Sequence, residues 1–241
     1  RPIQGRVRAP GSKSITNRAV ICAALAHGTS QITGALDSDD TRIMLSGLKN
    51  LGFNVDADWN KQTLFIHGSA GLIPKSQASI DCQASGTTMR FLTALVSLGN
   101  GHYVLDGTAR MRQRPIGDLL NALRMLGVEA EAGSAGECPP VTIRSTGVTS
   151  AEACIQSTTS SQFASGLALV APCMPEGLSL ELTGTLVSTP YLDMTRKIIE
   201  SFGGKCELRN DRQWHIAPTG YVSKNYEIEP DASAASYFAA A

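Results

Sequence analysis

The sequence has no surplus of either charge: lysine plus arginine number 21, and aspartate plus glutamate also number 21. Nucleic acid and anionic membrane surfaces usually draw a basic excess, so neither is an expected partner, and any anion binding must come from local arrangement. Long apolar runs are missing too. Stretches such as Ala19 to Leu25 and Gly166 to Ala171 fall far short of the roughly 20 residues that cross a bilayer, and no basic, apolar and small-residue series opens the chain. The expected location is the cytoplasm or an equivalent compartment such as a plastid.

Cysteine pairs are lacking as well. Cys22, Cys82, Cys138, Cys154, Cys173 and Cys206 are scattered without a C-x-x-C, and His27, His67, His102 and His215 do not cluster with them. Buried free thiols are therefore expected rather than a disulfide framework, and no metal site. Two nucleotide and hydrolase signatures are absent. Gly11-Ser12-Lys13-Ser14 has serine where a P-loop needs glycine before its lysine, and no G-x-S-x-G elbow accompanies the histidines, which read as structural.

What is present suits a globular protein: 241 residues, 42% hydrophobic and 17% charged, enough for a sizeable core. Self-similarity is its main organising feature. Gly52, Gly127 and Gly203 each close an amphipathic stretch and recur about every 75 residues, as do Gly34, Gly107 and Gly184 at strand ends. In the first copy Ser12-Lys13-Ser14 opens an apolar helix through Ala26; a strand ends at Gly34, a helix covers 39–51, and strands follow near 53–57 and 63–67. The second copy runs from Ser85-Gly86-Thr87-Thr88 through helix 89–98, strand 102–105, helix 116–126 and strands 128–131 and 141–144. The third runs from Thr158-Thr159-Ser160-Ser161 through helix 162–171, strand 178–182, helix 192–202 and strands 205–208 and 213–216. The second helix of each copy has one apolar face, as in Ile43, Leu45, Leu48 and Leu51, whereas the first is apolar nearly all round. The expected fold is α/β, a pseudo-threefold domain of three β-α-β-α-β-β units around buried helices.

The first four N–H groups of a helix lack partners inside it, and its dipole leaves partial positive charge there, so a helix start favours phosphate or carboxylate. All three central helices begin with hydroxyls or glycine. Lys13, Arg18, Arg90 and Arg114 lie near the same landmarks. Any one such turn reads as an ordinary cap with solvated cations. Three matched turns gathered by a threefold arrangement instead make a face for small, multiply anionic molecules.

These residues resemble the enolpyruvylshikimate-phosphate synthase family over essentially the whole chain. The resemblance is carried by Pro10-Gly11-Ser12-Lys13-Ser14 with Asn17-Arg18-Ala19, by Asp37-Ser38-Asp39-Asp40-Thr41, and by Arg114-Pro115-Ile116-Gly117. It continues in Ser160-Ser161-Gln162-Phe163, Val187-Ser188-Thr189-Pro190-Tyr191-Leu192-Asp193 and Asp231-Ala232-Ser233-Ala234-Ala235-Ser236-Tyr237-Phe238. It implies one half of a two-domain enolpyruvyl transferase fold. On that pattern residues 1–9 form a crossover strand belonging to the other domain, 10–229 the substrate-binding domain, and 230–241 the start of a second, truncated domain.

The implied reaction moves enolpyruvyl from phosphoenolpyruvate to the 5-hydroxyl of shikimate 3-phosphate, a step of aromatic amino acid biosynthesis, with no metal or organic cofactor. By resemblance Ser14, Arg18, Ser160, Ser161, Gln162, Ser188 and Tyr191 hold shikimate 3-phosphate, and Lys13, Gly86, Thr87 and Arg114 hold phosphoenolpyruvate. Lys13, Arg114 and Gln162 fall at the catalytic centre. Most proton-transfer groups of the family belong to the other domain, so this chain alone is expected to bind weakly and not to turn over.

Two departures stand out: Gln83-Ala84-Ser85 where the family usually has asparagine two residues before the glycine, and Phe91 where proline is common. The first falls where the family's inhibitor glyphosate binds. Two other readings remain. The related UDP-N-acetylglucosamine enolpyruvyl transferases typically carry Lys-Asn at the first turn and lack the Ser160-Ser161-Gln162 pocket; a non-catalytic anion-binding domain is the other.

Overall fold

The computed structural model describes residues 8–134, 136–156, 160–184, 189–210 and 212–239. The first unit comprises α1 (Lys13–Leu25), β1 (His27–Thr33), α2 (Asp39–Asn50), β2 (Asn54–Asp58) and β3 (Thr63–Ser69). The second comprises β4 (Gln77–Asp81), α3 (Gly86–Leu95), β5 (Asn100–Asp106), α4 (Gly117–Met125), β6 (Glu129–Ser134) and β7 (Cys138–Thr146). The third comprises β8 (Glu152–Gln156), α5 (Ser161–Val170), β9 (Leu178–Thr183), α6 (Thr189–Ser201), β10 (Cys206–Arg209) and β11 (Gln213–Ile216). The short β12 (Asn225–Glu227) and α7 (Ala232–Ala239) follow.

Three four-stranded sheets repeat one topology: β12-β1-β3-β2, β4-β5-β7-β6 and β8-β9-β11-β10. In each, the first pair is parallel and the rest antiparallel. The leading strands β4, β8 and β12 are elements that the sequence landmarks do not locate. They are short and largely exposed, with at most two buried side chains each, so their apolar alternation is faint. The first unit takes its leading strand from the far end of the chain, since β12 pairs with β1 in the register Gln31 to Asn225 and Thr33 to Glu227. The threefold arrangement is thus closed by a long-range pairing.

Helix character follows burial. The α1 helix is buried from Ile15 to Leu25, and it packs with α3 and α5, which are nearly as enclosed. The amphipathic helices cover this centre, α2 and α4 each lying between their own sheet and the leading strand of the next unit. Gly52, Gly127 and Gly203 end them with φ of +92°, +85° and +88°, the left-handed conformation for which glycine has no steric penalty. The two ends of the domain run side by side: Gly11 bridges Pro230, Ser12 N–H donates to the Glu229 carbonyl at 2.9 Å, and Asp231 N–H to the Pro10 carbonyl at 2.8 Å. A side chain at Gly11 would collide with the Gly34 carbonyl.

One expectation is corrected. Cys22, Cys82, Cys138 and Cys206 are buried and Cys173 is half-buried, but Cys154 is exposed, 3.8 Å from the sulfur of Met125. It sits at an outward position of β8, whose alternation buries Ala153 and Ile155 instead. The four histidines lie on exposed strand positions. No described helix is long and apolar enough to cross a membrane.

Candidate functional site

The three central helices begin earlier than their apolar runs, at Lys13, Gly86 and Ser161. The preceding residue is serine each time. Ser12 accepts from Ile15 N–H at 3.5 Å, Ser85 from Thr88 N–H at 3.3 Å and Ser160 from Gln162 N–H at 3.2 Å. These caps satisfy one orphan donor per helix, and the amides of Ser12, Ser85 and Phe163 bond to backbone carbonyls; the N–H of the residue after each cap is placed to meet a ligand. Lys13-Ser14, Gly86-Thr87 and Ser161-Gln162 therefore occupy equivalent positions.

Side-chain contacts tie the starts together. Gln162 donates Nε2 to the Thr87 hydroxyl at 3.2 Å, joining α5 to α3. Lys13 Nζ lies 2.6 Å from Asp40 Oδ2, tying the start of α1 to that of α2. Burial raises the Asp40 carboxyl, but Lys13, Ser85 and the positive field of Arg114 outweigh that and hold it below the ordinary range. Gly86 lies against two guanidinium groups, and a Cβ there would collide with Nη1 of both Arg114 and Arg90.

Arg18 lies at the centre of this face, only 2% exposed. Its Nε donates to the Thr195 hydroxyl at 2.8 Å, Nη1 to the Ser14 carbonyl at 3.0 Å and Nη2 to the Ser165 hydroxyl at 3.2 Å. Its guanidinium carbon is 5.3 Å from the Phe91 ring centre and 5.8 Å from that of Tyr191, within cation–π range. None of these partners is a carboxylate. Burial accordingly pulls its pKa down to about 10, against smaller opposing contributions from Tyr191 and Cys22. Arg90 is similar: 6% exposed, donating Nη1 to the Gly86 carbonyl at 2.9 Å, and lowered to about 10 by burial and then by the like charge of Arg114. Two buried cations with no carboxylate partner among the described residues are costly. Such an arrangement is chemically suited to an anion arriving from outside.

Lys13, Ser14, Arg18, Gly86, Thr87, Arg114, Ser160, Ser161, Gln162 and Tyr191 thus belong to connected helix starts or to elements packed on them. Ser188 lies outside the described residues, as do Thr158 and Thr159. Sequence reasoning missed Thr195 and Ser165, which hold Arg18, and gave no role to Asp40. The one available signal was Arg18 itself, a charge inside an otherwise apolar helix that had to find polar partners.

A family model for EPSP synthase (3-phosphoshikimate 1-carboxyvinyltransferase) matches residues 1–241. The chain belongs to this family.

A 3-phosphoshikimate 1-carboxyvinyltransferase of Rhizobium etli is 43% identical over 243 residues, covering 100% of this chain and 57% of the relative. One of Pseudomonas syringae pv. tomato is 42% identical with the same coverage. The chain therefore spans a little over half the length of these relatives. Among solved structures, an EPSP synthase from Acinetobacter baumannii superposes with a TM-score of 0.85 at 24% identity, covering 97% of this chain and 52% of that one. The enolpyruvyl transferase NikO from Streptomyces tendae gives 0.68 at 18% identity, over 95% and 52%. These two likenesses establish the fold. Within the EPSP synthase pattern, the departure at Ala84 has a structural counterpart: Ala84 lines a cavity of about 450 Å³ with Arg110, Met111 and Arg114.

Proposed function

We propose that this chain supplies one of the two substrate-binding faces of an enzyme that transfers enolpyruvyl from phosphoenolpyruvate to the 5-hydroxyl of shikimate 3-phosphate, releasing phosphate. The observation that carries this reading is the buried guanidinium of Arg18, without a carboxylate partner, beside three hydroxyl-capped helix starts. Three of its five N–H groups are engaged by the protein, so two remain for a ligand oxygen. Ser14, Ser160, Ser161, Gln162 and Ser188 complete the shikimate 3-phosphate subsite, and Tyr191 packs on its ring.

Lys13, Gly86, Thr87 and Arg114 form the phosphoenolpyruvate side, with Gln162 between the two ligands. In the proposed reaction the methylene carbon of phosphoenolpyruvate gains a proton while the 5-hydroxyl, giving up its own proton, attacks C2; the tetrahedral intermediate then loses a proton from the new methyl group as it expels phosphate, which restores the carbon–carbon double bond. Lys13, Arg114 and the helix starts stabilise charge on the phosphate. The reaction as proposed uses no metal or organic cofactor and is placed in the cytoplasm or an equivalent compartment such as a plastid.

Residues 1–9 and 230–241 are assigned to a second domain, a reading supported by the side-by-side exit of the two ends at Gly11 and Pro230. Such a domain would close over the face and bring the remaining proton-transfer groups. The 241-residue chain alone is expected to release no phosphate above background from the two substrates, while calorimetry shows weak saturable binding of shikimate 3-phosphate. Binding of UDP-N-acetylglucosamine instead would overturn the reading.

A second expectation concerns Gly86. The methyl group of Gly86→Ala would displace the tips of Arg114 and Arg90. Because these are flexible side-chain ends rather than backbone, the fold should survive with a melting temperature within about 2 °C of the original. Phosphoenolpyruvate affinity should fall roughly tenfold or more as the guanidinium fork is misplaced. Differential scanning fluorimetry and a phosphoenolpyruvate titration read the two effects separately.

A further inference from the structure

The cations of the helix-start face are not equivalent. Arg18 and Arg90 bond to hydroxyls and carbonyls, whereas Lys13 has a carboxylate, Asp40, at 2.6 Å. Asp40 is the second residue of α2, whose start is capped by Ser38. Its side chain retains 28% exposure, and its nearest polar partner in the neighbouring α1 is the Lys13 ammonium.

An ionised carboxylate only accepts, so this bond runs from the Lys13 ammonium to Asp40. Lysine carries three N–H donors; one on Asp40 leaves two for a ligand, so ligand binding requires no exchange of partners. Unrestrained, the same side chain would have several rotatable bonds to immobilise on binding.

We infer that Asp40 is a positioning residue that keeps Lys13 on the helix-start face in the orientation needed for the phosphoenolpyruvate anion. The inference rests on the reading that this face binds phosphoenolpyruvate. An alternative role makes the opposite prediction: if Asp40 merely neutralised Lys13, removing its charge would free the lysine and tighten anion binding.

Asp40→Asn separates the two roles, because asparagine keeps the size and shape of the side chain while losing the charge that holds Lys13. Phosphoenolpyruvate titrated into the 241-residue chain should bind about tenfold more weakly to Asp40→Asn, with at least partial recovery in Asp40→Glu. In a Lys13→Met background, Asp40→Asn should add less than a twofold loss, since the lysine through which it acts is gone. Equal or tighter binding by Asp40→Asn overturns the inference. A ligand-free measurement makes it independent of the functional reading: the lysine ε-CH₂ signals in carbon-13 NMR, with Lys13 assigned by Lys13→Met, should move to the random-coil position in Asp40→Asn. An unmoved signal sinks the positioning role. A moved signal in a chain that binds no phosphoenolpyruvate sinks the proposed function and leaves the positioning role standing.

Discussion

Arg18→Met is expected to weaken shikimate 3-phosphate binding at least about a hundredfold, close to 3 kcal/mol, without weakening the fold. The binding loss follows from the burial of the guanidinium, whose interaction with an anion is little screened at 2% exposure. Its effect on stability has the opposite sign because Arg18 has no carboxylate partner among the described residues, and burial lowers its pKa from 12.5 to about 10. That displacement corresponds to an unfavourable charge on the order of 3 kcal/mol in the empty protein, offset in part by its hydrogen bonds.

Methionine leaves few groups stranded. Thr195 still donates its hydroxyl to the Tyr191 carbonyl at 2.7 Å and lies 2.9 Å from the Ser165 hydroxyl. Its unbranched side chain can occupy the slot between Phe91 and Tyr191. Denaturant unfolding should therefore give a stability unchanged or raised by about 1 kcal/mol, while calorimetry gives the affinity. A variant that keeps its affinity would remove Arg18 from the site; one that unfolds would show the arginine to be structural.

Alkaline pH is expected to unfold the protein from about pH 9 upward. Burial raises Cys22, Cys82, Cys173 and Cys206 from 9.0 to about 12. For Cys22 burial is the first cause, opposed by the nearby Tyr221 hydroxyl and reinforced by the neighbouring Cys173. The sign follows from proton binding. Above pH 9 the unfolded chain releases thiol protons that the folded chain keeps, so the thiols contribute stability present below pH 9 and lost progressively toward pH 12.

The fully buried Cys22 accounts for about 1 kcal/mol of loss by pH 10. Four such thiols together remove several times that, less for the half-buried Cys173. Arg18 and Arg90 act in the other direction, since each sheds its unfavourable buried charge as pH rises above about 10, so the interval from pH 9 to 10 belongs to the thiols. Urea midpoints measured from pH 8 to 10 should fall, and Cys22→Ala should flatten the slope. A flat profile in the original chain would show that the thiols titrate alike in both states.

Much of the architecture was legible because it rests on local chemistry. Serine caps, closing glycines and one-sided apolar helices act within a few residues of chain, so the elements recur in sequence as they do in space. Boundaries shifted at α3 and α6, each of which begins three residues before the expected start, at Gly86 and Thr189. Helix geometry depends on the cap and not on hydrophobicity, and at α3 Ser85 decides it. The strand β12 was not legible. Three largely exposed residues have no pattern of their own, and only pairing with β1, nearly 200 positions earlier, makes them a strand.

The sequence alone determined the repeated unit, the family and the inventory of hydroxyls and cations at the helix starts. Each is a property of residue type and spacing. Tertiary structure decided which of those groups meet. Arg18 finds Thr195 at 177 positions' separation and Ser165 at 147, and Lys13 finds Asp40 at 27. Such partners are selected by burial, since a charge enclosed among packed helices must bond to whatever polar atoms the fold brings within 3 Å or so. No periodicity along the chain encodes that choice.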